Sequence, residues 1–428
     1  MPRETLPVAV IGAGPVGLAA AAHLLARGAQ PIVLEAGAAP GHAVRDWGHV
    51  RMFSPWRYNI DGAAGTLLRS SGWAAPDAEA IPTGAELVEH YLRPLAAHPL
   101  LKPRIRYGSK VAAVGRRDFD KVKTEGRETQ PFVIRLENEE EIEARAVIDA
   151  SGAWGQPNPM GAGGLPAHGE AANADRIAYG IPDVLGARRE DYAGRRTLVV
   201  GSGHSAINAV LDLVELQEQA EGTSIAWAMR RGDVSTAFGG GNADALPARG
   251  MLGERARQAV ADGRVEMVAP FRARAVARRG DGGLRIDGTL GCCAKSISAD
   301  RIVVATGVRP DFGFLSEIRL SLDPWLESAQ ALGPLIDPNL HSCGTVRPHG
   351  AKELAHPERD FYILGMKSYG RAPTFLLATG YEQVRSVAAA LTGDLDAAAR
   401  VELDLPQTGV CSADRAPVPA GAKSACCG

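Results

Sequence analysis

Three groups of residues in this chain have the types and spacing to do chemistry. Two are glycine clusters, Gly12-x-Gly14-x-x-Gly17 and Gly201-x-Gly203-x-x-Ala206, each following an apolar run; the third is a set of cysteines. In a cluster of this kind the first glycine permits a tight turn and the second lets the backbone approach a pyrophosphate. The third lets the following helix pack closely on the strand, and the helix start supplies N–H donors and the positive end of its dipole. Pro15 falls in the first helical turn, where a missing N–H costs little. The next apolar run, Pro31-Ile-Val-Leu-Glu35, ends in an acid at the spacing of a ribose hydroxyl partner. In the second cluster Ser205 lies inside the motif and Ala206 is a tolerated replacement for the third glycine. The strand after it, Ser224 to Met229, ends in Arg230-Arg231 rather than in an acid. Guanidinium groups suit a 2′-phosphate through bidentate charge-assisted bonds, which favours NADPH over NADH.

The six cysteines are Cys292, Cys293, Cys343, Cys411, Cys426 and Cys427. Two adjacent pairs argue for thiol or soft-metal chemistry rather than a disulfide framework. Cys426 and Cys427, with Cys411 nearby, lie on a Pro-, Ala-, Gly- and Ser-rich end that reads as a flexible tail. Adjacent thiolates on such an arm can clamp Hg(II) or As(III), or cycle as a strained disulfide. They are the candidate catalytic thiols and candidate soft-metal ligands; surface thiols without a role are the alternative. Cys292-Cys293 falls in an expected β-hairpin, where a structural position is the better reading. Cys343 stands near His341 and His349, but no ligand spacing supports a metal.

The elements that position these residues repeat. Val8 to Ile11, a glycine turn and an Ala-rich helix to Leu25 are matched by Leu198 to Val200, a glycine turn and a helix to about Leu216. Each copy later ends in an apolar strand and a small-residue turn: Ala146-Val-Ile-Asp-Ala-Ser151-Gly152, and Arg301-Ile-Val-Val-Ala-Thr306-Gly307. The expected fold class is α/β, with two Rossmann-like dinucleotide-binding domains and the second inserted into the first. Residues 1–155 and 308–400 would form the first domain, 156–307 the second, and 401–428 the tail. With 47 basic and 49 acidic side chains nearly cancelling, no field draws the chain onto nucleic acid or an anionic membrane. The apolar run Pro7–Leu25 carries its glycines at set spacing and no basic leader, so a buried strand and helix explain it better than a signal or a span. A cytoplasmic protein is expected.

From Pro7 to Leu391 the chain resembles the flavoprotein superfamily with two dinucleotide-binding domains, which includes disulfide reductases and flavin-containing monooxygenases. The resemblance implies FAD on Gly12, Gly14, Gly17 and Glu35, with Ser151, Gly152 and Gly365 near it, and NADPH on Gly201, Gly203, Ala206 and Arg230. The turn Ala305-Thr306-Gly307 is similar to the connecting motif of that superfamily. After Gly365, Met366 replaces the usual acid. Disulfide reductases of this architecture carry a cysteine pair beside the flavin or a Cys-x-x-Cys in the nicotinamide domain. Residues 36–110 hold no cysteine, and no Cys-x-x-Cys occurs. The stretches Trp47–Trp56, Pro82–Leu92 and Asp149–Pro157 are more similar to flavin monooxygenases, with Arg51 and Trp56 as flavin-neighbourhood candidates. The Phe-x-Gly-x-x-x-His signature of those enzymes is absent, and the corresponding region reads Arg176–Asp183. The C-terminal Cys-Cys is similar to that of mercuric reductases.

These implications converge on an FAD- and NADPH-dependent oxidoreductase acting on a small molecule. A monooxygenase using molecular oxygen on a soft S, N or As atom is the first expectation. An NADPH-dependent thiol, disulfide or metal(loid) reductase using the tail cysteines is the alternative, and a redox-sensing or soft-metal-binding flavoprotein is a third.

Overall fold

Val8-Ala-Val-Ile11 is apolar at every position because a parallel strand is buried on both faces. In the computed structural model this strand, β1 (Val8–Ile11), has each residue 5% exposed or less. Its alternation sorts the core into two layers. Val8 and Val10 pack with Leu18, Leu24 and Val384, whereas Ala9 and Ile11 pack with Phe132, Ile134 and Val147. The structure describes residues 3–232, 234–238, 246–340, 346–373 and 375–403. Cys343, Cys411, Cys426, Cys427 and the tail beyond residue 403 lie outside them.

The chain divides into two units. Among the described residues the first comprises those of 3–156, 308–340 and 346–403, and the second those of 157–307. In the first unit, β1 is flanked in parallel by β2 (Pro31–Leu34) and by β7 (Ala146–Asp149). Outside these lie β3 (Ile105–Arg106) and β16 (Phe361–Ile363), giving the order β16-β7-β1-β2-β3. An antiparallel meander of β4 (Val111–Arg116), β5 (Phe132–Leu136) and β6 (Glu141–Ala144) covers one face. On the other, α1 (Pro15–Ala26) packs its four consecutive alanines, Ala19 to Ala22, at 3% exposure or less. The side chains there are small because α1 lies against both the sheet and the helix Leu377–Leu391.

The second unit repeats this plan. Its parallel sheet has the order β11-β10-β9-β15-β8, from β8 (Ile177–Tyr179), β9 (Arg196–Val200), β10 (Ser224–Ala228), β11 (Val265–Val268) and β15 (Arg301–Val304). The meander is β12 (Phe271–Arg278), β13 (Leu284–Leu290) and β14 (Cys293–Ala299). Val199 faces the helical layer with Val210 and Leu213, while Leu198 and Val200 face Val276, Ile286 and Ile297 of the meander. The architecture is therefore the expected α/β one, with two Rossmann-like units. No helix among the described residues is long and apolar enough to cross a membrane.

A buried ionic knot ties the meander of the first unit to the segment before β16. Glu358 accepts from Arg116 Nε at 2.8 Å and from Arg127 Nη2 at 2.9 Å, all three side chains being 3% exposed or less. Burial pushes the Glu358 carboxyl up, but the two arginine hydrogen bonds outweigh it and hold the group below the usual carboxylate range. The Nη1 and Nη2 groups of the two arginines also donate to the carbonyls of Gln130, Arg359, Phe119, Asp120 and Glu317, while Arg127 Nε is left without a partner among the described residues.

Candidate cofactor sites

The chain leaves β1 through Gly12 at φ 101°, and a Cβ there would lie 2.8 Å from the Ala150 carbonyl oxygen. The turn after β1 is thus pressed against the turn after β7. At Gly17 an added Cβ would sit 2.0 Å from the Gly12 oxygen, so α1 approaches the strand as closely as backbone permits. Gly14 is the opposite case. It caps α1 with ordinary extended dihedrals, and a Cβ there would meet nothing within 4 Å. No side chain caps α1, so its first-turn donors face this open space. Glu35 stands at the same turn, 7% exposed, with Oε2 accepting from the Ala13 N–H at 2.6 Å and Oε1 from the Gly37 N–H at 2.7 Å. A carboxylate offers about four acceptor positions. Two organise the turn and two remain for ribose hydroxyls. The cradle fits a dinucleotide pyrophosphate with its adjoining ribose.

Two further turns close on this corner. A Cβ on Gly365 (φ 73°) would lie 3.1 Å from Val16 Cγ2, and one on Gly380 would lie 2.9 Å from the same atom. The first turns of α1 and of Leu377–Leu391 therefore meet, and neither has a side-chain cap. Gly365 N–H donates to Gln383 Oε1 at 2.8 Å. Gln383 Nε2 donates in turn to Ser368 Oγ at 2.9 Å and to His349 Nε2 at 2.8 Å. Burial pushes the His349 imidazole below the usual histidine range. In its neutral form it accepts at Nε2 and donates from Nδ1 to the Arg347 carbonyl at 3.2 Å.

Beneath Ser151 lies a charged pair that no motif announced. Lys367 Nζ is 2.7 Å from Asp149 Oδ2, and both side chains are fully buried. Asp149 Oδ1 accepts from the Ser151 N–H at 3.0 Å and from its hydroxyl at 2.6 Å. The ammonium also donates to Ser151 Oγ at 3.1 Å and sits 4.5 Å from the Phe314 ring centroid. Asp149 Oδ2 has no hydrogen bond of good geometry, so its contact with Lys367 is a charge contact. Sequence reading noted the acid missing at Met366 and passed over the lysine beside it. An aspartate closing an otherwise apolar strand was the available signal.

Arg51 is exposed and donates to the Ile81 carbonyl at 2.8 Å. Trp56 is 4% exposed and belongs to the core packed around α1.

In the second unit, a Cβ on Gly201 would lie 2.2 Å from the Ala305 carbonyl oxygen, which repeats the Gly12–Ala150 contact. Gly203 caps the helix His204–Gln219 with no side-chain cap and open space beyond it, and Ser205 is half-buried in that helix's first turn. The Ala206 methyl is fully buried and fits where glycine is more usual, 3.5 Å from a Cβ built on Gly201. Thr306 Oγ1 donates to the Asn158 carbonyl at 2.7 Å, and the Asn158 N–H donates to Gly307 O at 2.9 Å. These bonds staple the connecting turn within its own unit. Gly201 N–H donates to Ala228 O at 3.1 Å, so Arg230 and Arg231 follow a strand end that adjoins the glycine turn. Both arginines are exposed, and Arg230 Nη1 donates to the Ala162 carbonyl at 3.0 Å. Glu170, which sequence reading missed, holds the loop carrying Ala162. It accepts from the N–H groups of Met160 at 2.8 Å and Ala167 at 2.7 Å, and from the Tyr179 hydroxyl at 2.7 Å. Burial and this bond to Glu170 push the Tyr179 phenol above its ordinary range.

Cys292 and Cys293 are free and exposed at the β13–β14 hairpin. Among the described residues no three histidine, cysteine or acidic side chains gather into a group able to hold a metal.

The model of the pyridine nucleotide-disulphide oxidoreductase family matches residues 9–331. No curated protein matches the sequence significantly. Among solved structures, bacillithiol disulfide reductase Bdr from Bacillus cereus superposes with a TM-score of 0.65 at 18% identity, covering 90% of this chain and 98% of that one. The FAD-bound cadaverine monooxygenase DfoA of Erwinia amylovora gives 0.64 at 13% identity, covering 96% and 99%. A flavin-containing monooxygenase from Stenotrophomonas maltophilia gives 0.57 at 21% identity, covering 90% and 98%. At these identities the likeness is one of fold.

Proposed function

The chain belongs to the pyridine nucleotide-disulphide oxidoreductase family, and from that membership we propose an FAD- and NADPH-dependent enzyme that oxygenates a soft S, N or As atom of a small molecule. One observation carries the choice of reaction. Residues 36–110 hold no cysteine, no Cys-x-x-Cys occurs, and among the described residues the first unit contains no cysteine. The two places where disulfide reductases of this architecture carry a cysteine pair hold none, which favours oxygen over a core thiol as the electron acceptor.

In this reading Gly12, Gly14, Pro15 and Gly17 form the pyrophosphate turn, and Glu35 takes the ribose hydroxyls. The Asp149–Lys367 pair fixes the Ser151-Gly152 turn against the Gly365 turn. Gly201, Gly203, Ser205 and Ala206 play the corresponding part for NADPH, with the Thr306-Gly307 turn fixed behind them. Bound FAD supplies the hydride acceptor and the means of activating oxygen. The side chains of the chain bind, orient and exclude water.

Anaerobic reduction of the flavin by NADPH, followed by mixing with oxygen, tests the reading. A spectroscopically distinct phase between the reduced and oxidised spectra is expected. Direct return to the oxidised spectrum, with hydrogen peroxide released in equal amount, overturns it.

Arg230 and Arg231 are assigned to the 2′-phosphate. Replacing both by glutamine is expected to raise KM for NADPH roughly ten- to a hundred-fold, the worth of one or two charge-assisted bonds. KM for NADH should hardly move. Equal losses with the two nucleotides would remove the assignment.

The adjacent Cys426 and Cys427 favour a second reading, an NADPH-dependent thiol, disulfide or metal(loid) reductase. A thiolate-to-flavin charge-transfer band that disappears in Cys426→Ser/Cys427→Ser would select it.

A further inference from the structure

Cys292 and Cys293 sit where the proposed flavin chemistry makes no use of them. β13 and β14 are joined by a two-residue loop, Gly291-Cys292, closed by the pair Leu290 and Cys293. Gly291 has φ 63°, the conformation a type II′ hairpin requires at its first loop position. The hairpin tip stands clear of the core, with residues 291–296 all exposed and Ile297 the first buried position of β14. The two thiols are held 3.7 Å apart at this tip.

That spacing selects among the partners two thiols can take. Direct oxidation is disfavoured, because adjacent Cα atoms are ~3.8 Å apart across a trans peptide and disulfides usually need about 4.4–6.8 Å. A bridging soft atom has no such difficulty. With bonds of ~2.3 Å, the length of a zinc–thiolate bond, sulfurs 3.7 Å apart subtend an angle of ~107° at the bridge. A linear two-coordinate ion such as Hg(II) would need them ~4.6 Å apart at that bond length. A tetrahedral ion would need two more ligands, and the described residues gather no group of three or more. A pyramidal centre that keeps one substituent of its own is satisfied by two sulfurs and needs only a small rotation of two exposed side chains.

We propose that Cys292 and Cys293 form a capture site for a mono-substituted trivalent arsenical, independent of the flavin reading. In the binding step the two thiols react with R–As(OH)2. Two As–S bonds form and two As–O bonds break, each thiol proton leaves with a hydroxide as water, and arsenic stays trivalent, so no oxidant is required.

The test uses the full chain with Cys343, Cys411, Cys426 and Cys427 all replaced by serine, reduced and then titrated with phenylarsine oxide. Intact-mass measurement should show one phenylarsenic adduct per chain, with both remaining thiols lost to a thiol reagent and restored by excess 2,3-dimercaptopropanol. Adding either Cys292→Ser or Cys293→Ser should abolish the adduct, since one thiol cannot form the ring. Both positions are exposed, so the fold should tolerate serine, and far-UV circular dichroism checks this. Absence of the adduct in the chain retaining both thiols overturns the proposal. So does its survival in the two single variants.

Discussion

Replacing Lys367 by methionine is expected to lower the unfolding free energy by about 3–5 kcal/mol, the usual cost of leaving one partner of a buried ion pair unpaired. Asp149 has no solvent to fall back on, being fully buried. Its Oδ1 is engaged with the Ser151 N–H and hydroxyl, and its Oδ2 has only the ammonium. Asp149→Asn keeps an oxygen for the Ser151 bonds and removes the charge, so it strands Lys367 instead and should cost a similar amount. The double variant should be less damaged than the sum of the singles by about 1–3 kcal/mol, because neither charge is then alone. Urea unfolding of the flavin-free chain measures this directly. A strictly additive cycle would show that the two groups do not act as a pair. The pair also joins the strand end of β7 to the turn that follows β16, and both turns are assigned to the flavin. The singles should therefore release FAD faster than the double variant does, which a purely global loss of stability would not order in this way.

The two glycine turns were legible in the sequence because Gly12, Gly17 and Gly201 each answer a backbone requirement that only glycine meets cheaply. A Cβ on Gly12 or Gly201 would lie 2.8 or 2.2 Å from a carbonyl oxygen, so no side chain could stand there. The repeat of strand, turn and helix was legible for the same reason, since parallel strands buried on both faces read as unbroken apolar runs. Lys367 and Glu170 were not legible. A lysine or a glutamate in a loop is ordinarily solvated, and nothing local marks one that is buried. The partner of Lys367 comes from far along the chain: Asp149 lies 218 residues before it by their numbers, in a strand brought beside β16 only by the sheet order. Those of Glu170 are within ten residues, but only the folded loop turns them toward its carboxylate. Trp56, named by resemblance, lies in the core packed around α1.

Gly14 and Gly17 belong to one motif, and the structure predicts that they fail differently. Gly14 has φ −78° and ψ −175°, an extended conformation open to any residue, and a Cβ there meets nothing within 4 Å. Gly14→Leu should leave the flavin-free fold within about 1 kcal/mol of the parent, since replacing an unstrained glycine mainly restricts the unfolded chain. The space the leucine fills is the space assigned to the pyrophosphate, so the purified variant should be colourless. At Gly17 even a methyl group would lie 2.0 Å from the Gly12 oxygen. Gly17→Ala must push α1 away from β1, and overpacking of this kind costs at least ~1–3 kcal/mol. It should lose stability and flavin together. Gly203, at φ −91° and ψ 179° with open space beyond it, is the counterpart of Gly14 in the second unit. Gly203→Leu should keep its yellow colour and lose reduction by NADPH. Retention of stoichiometric FAD by Gly14→Leu would remove the pyrophosphate from this turn, and with it the assignment of the first unit to the flavin. Loss of FAD from Gly203→Leu would break the division of the two cofactors between the two repeats.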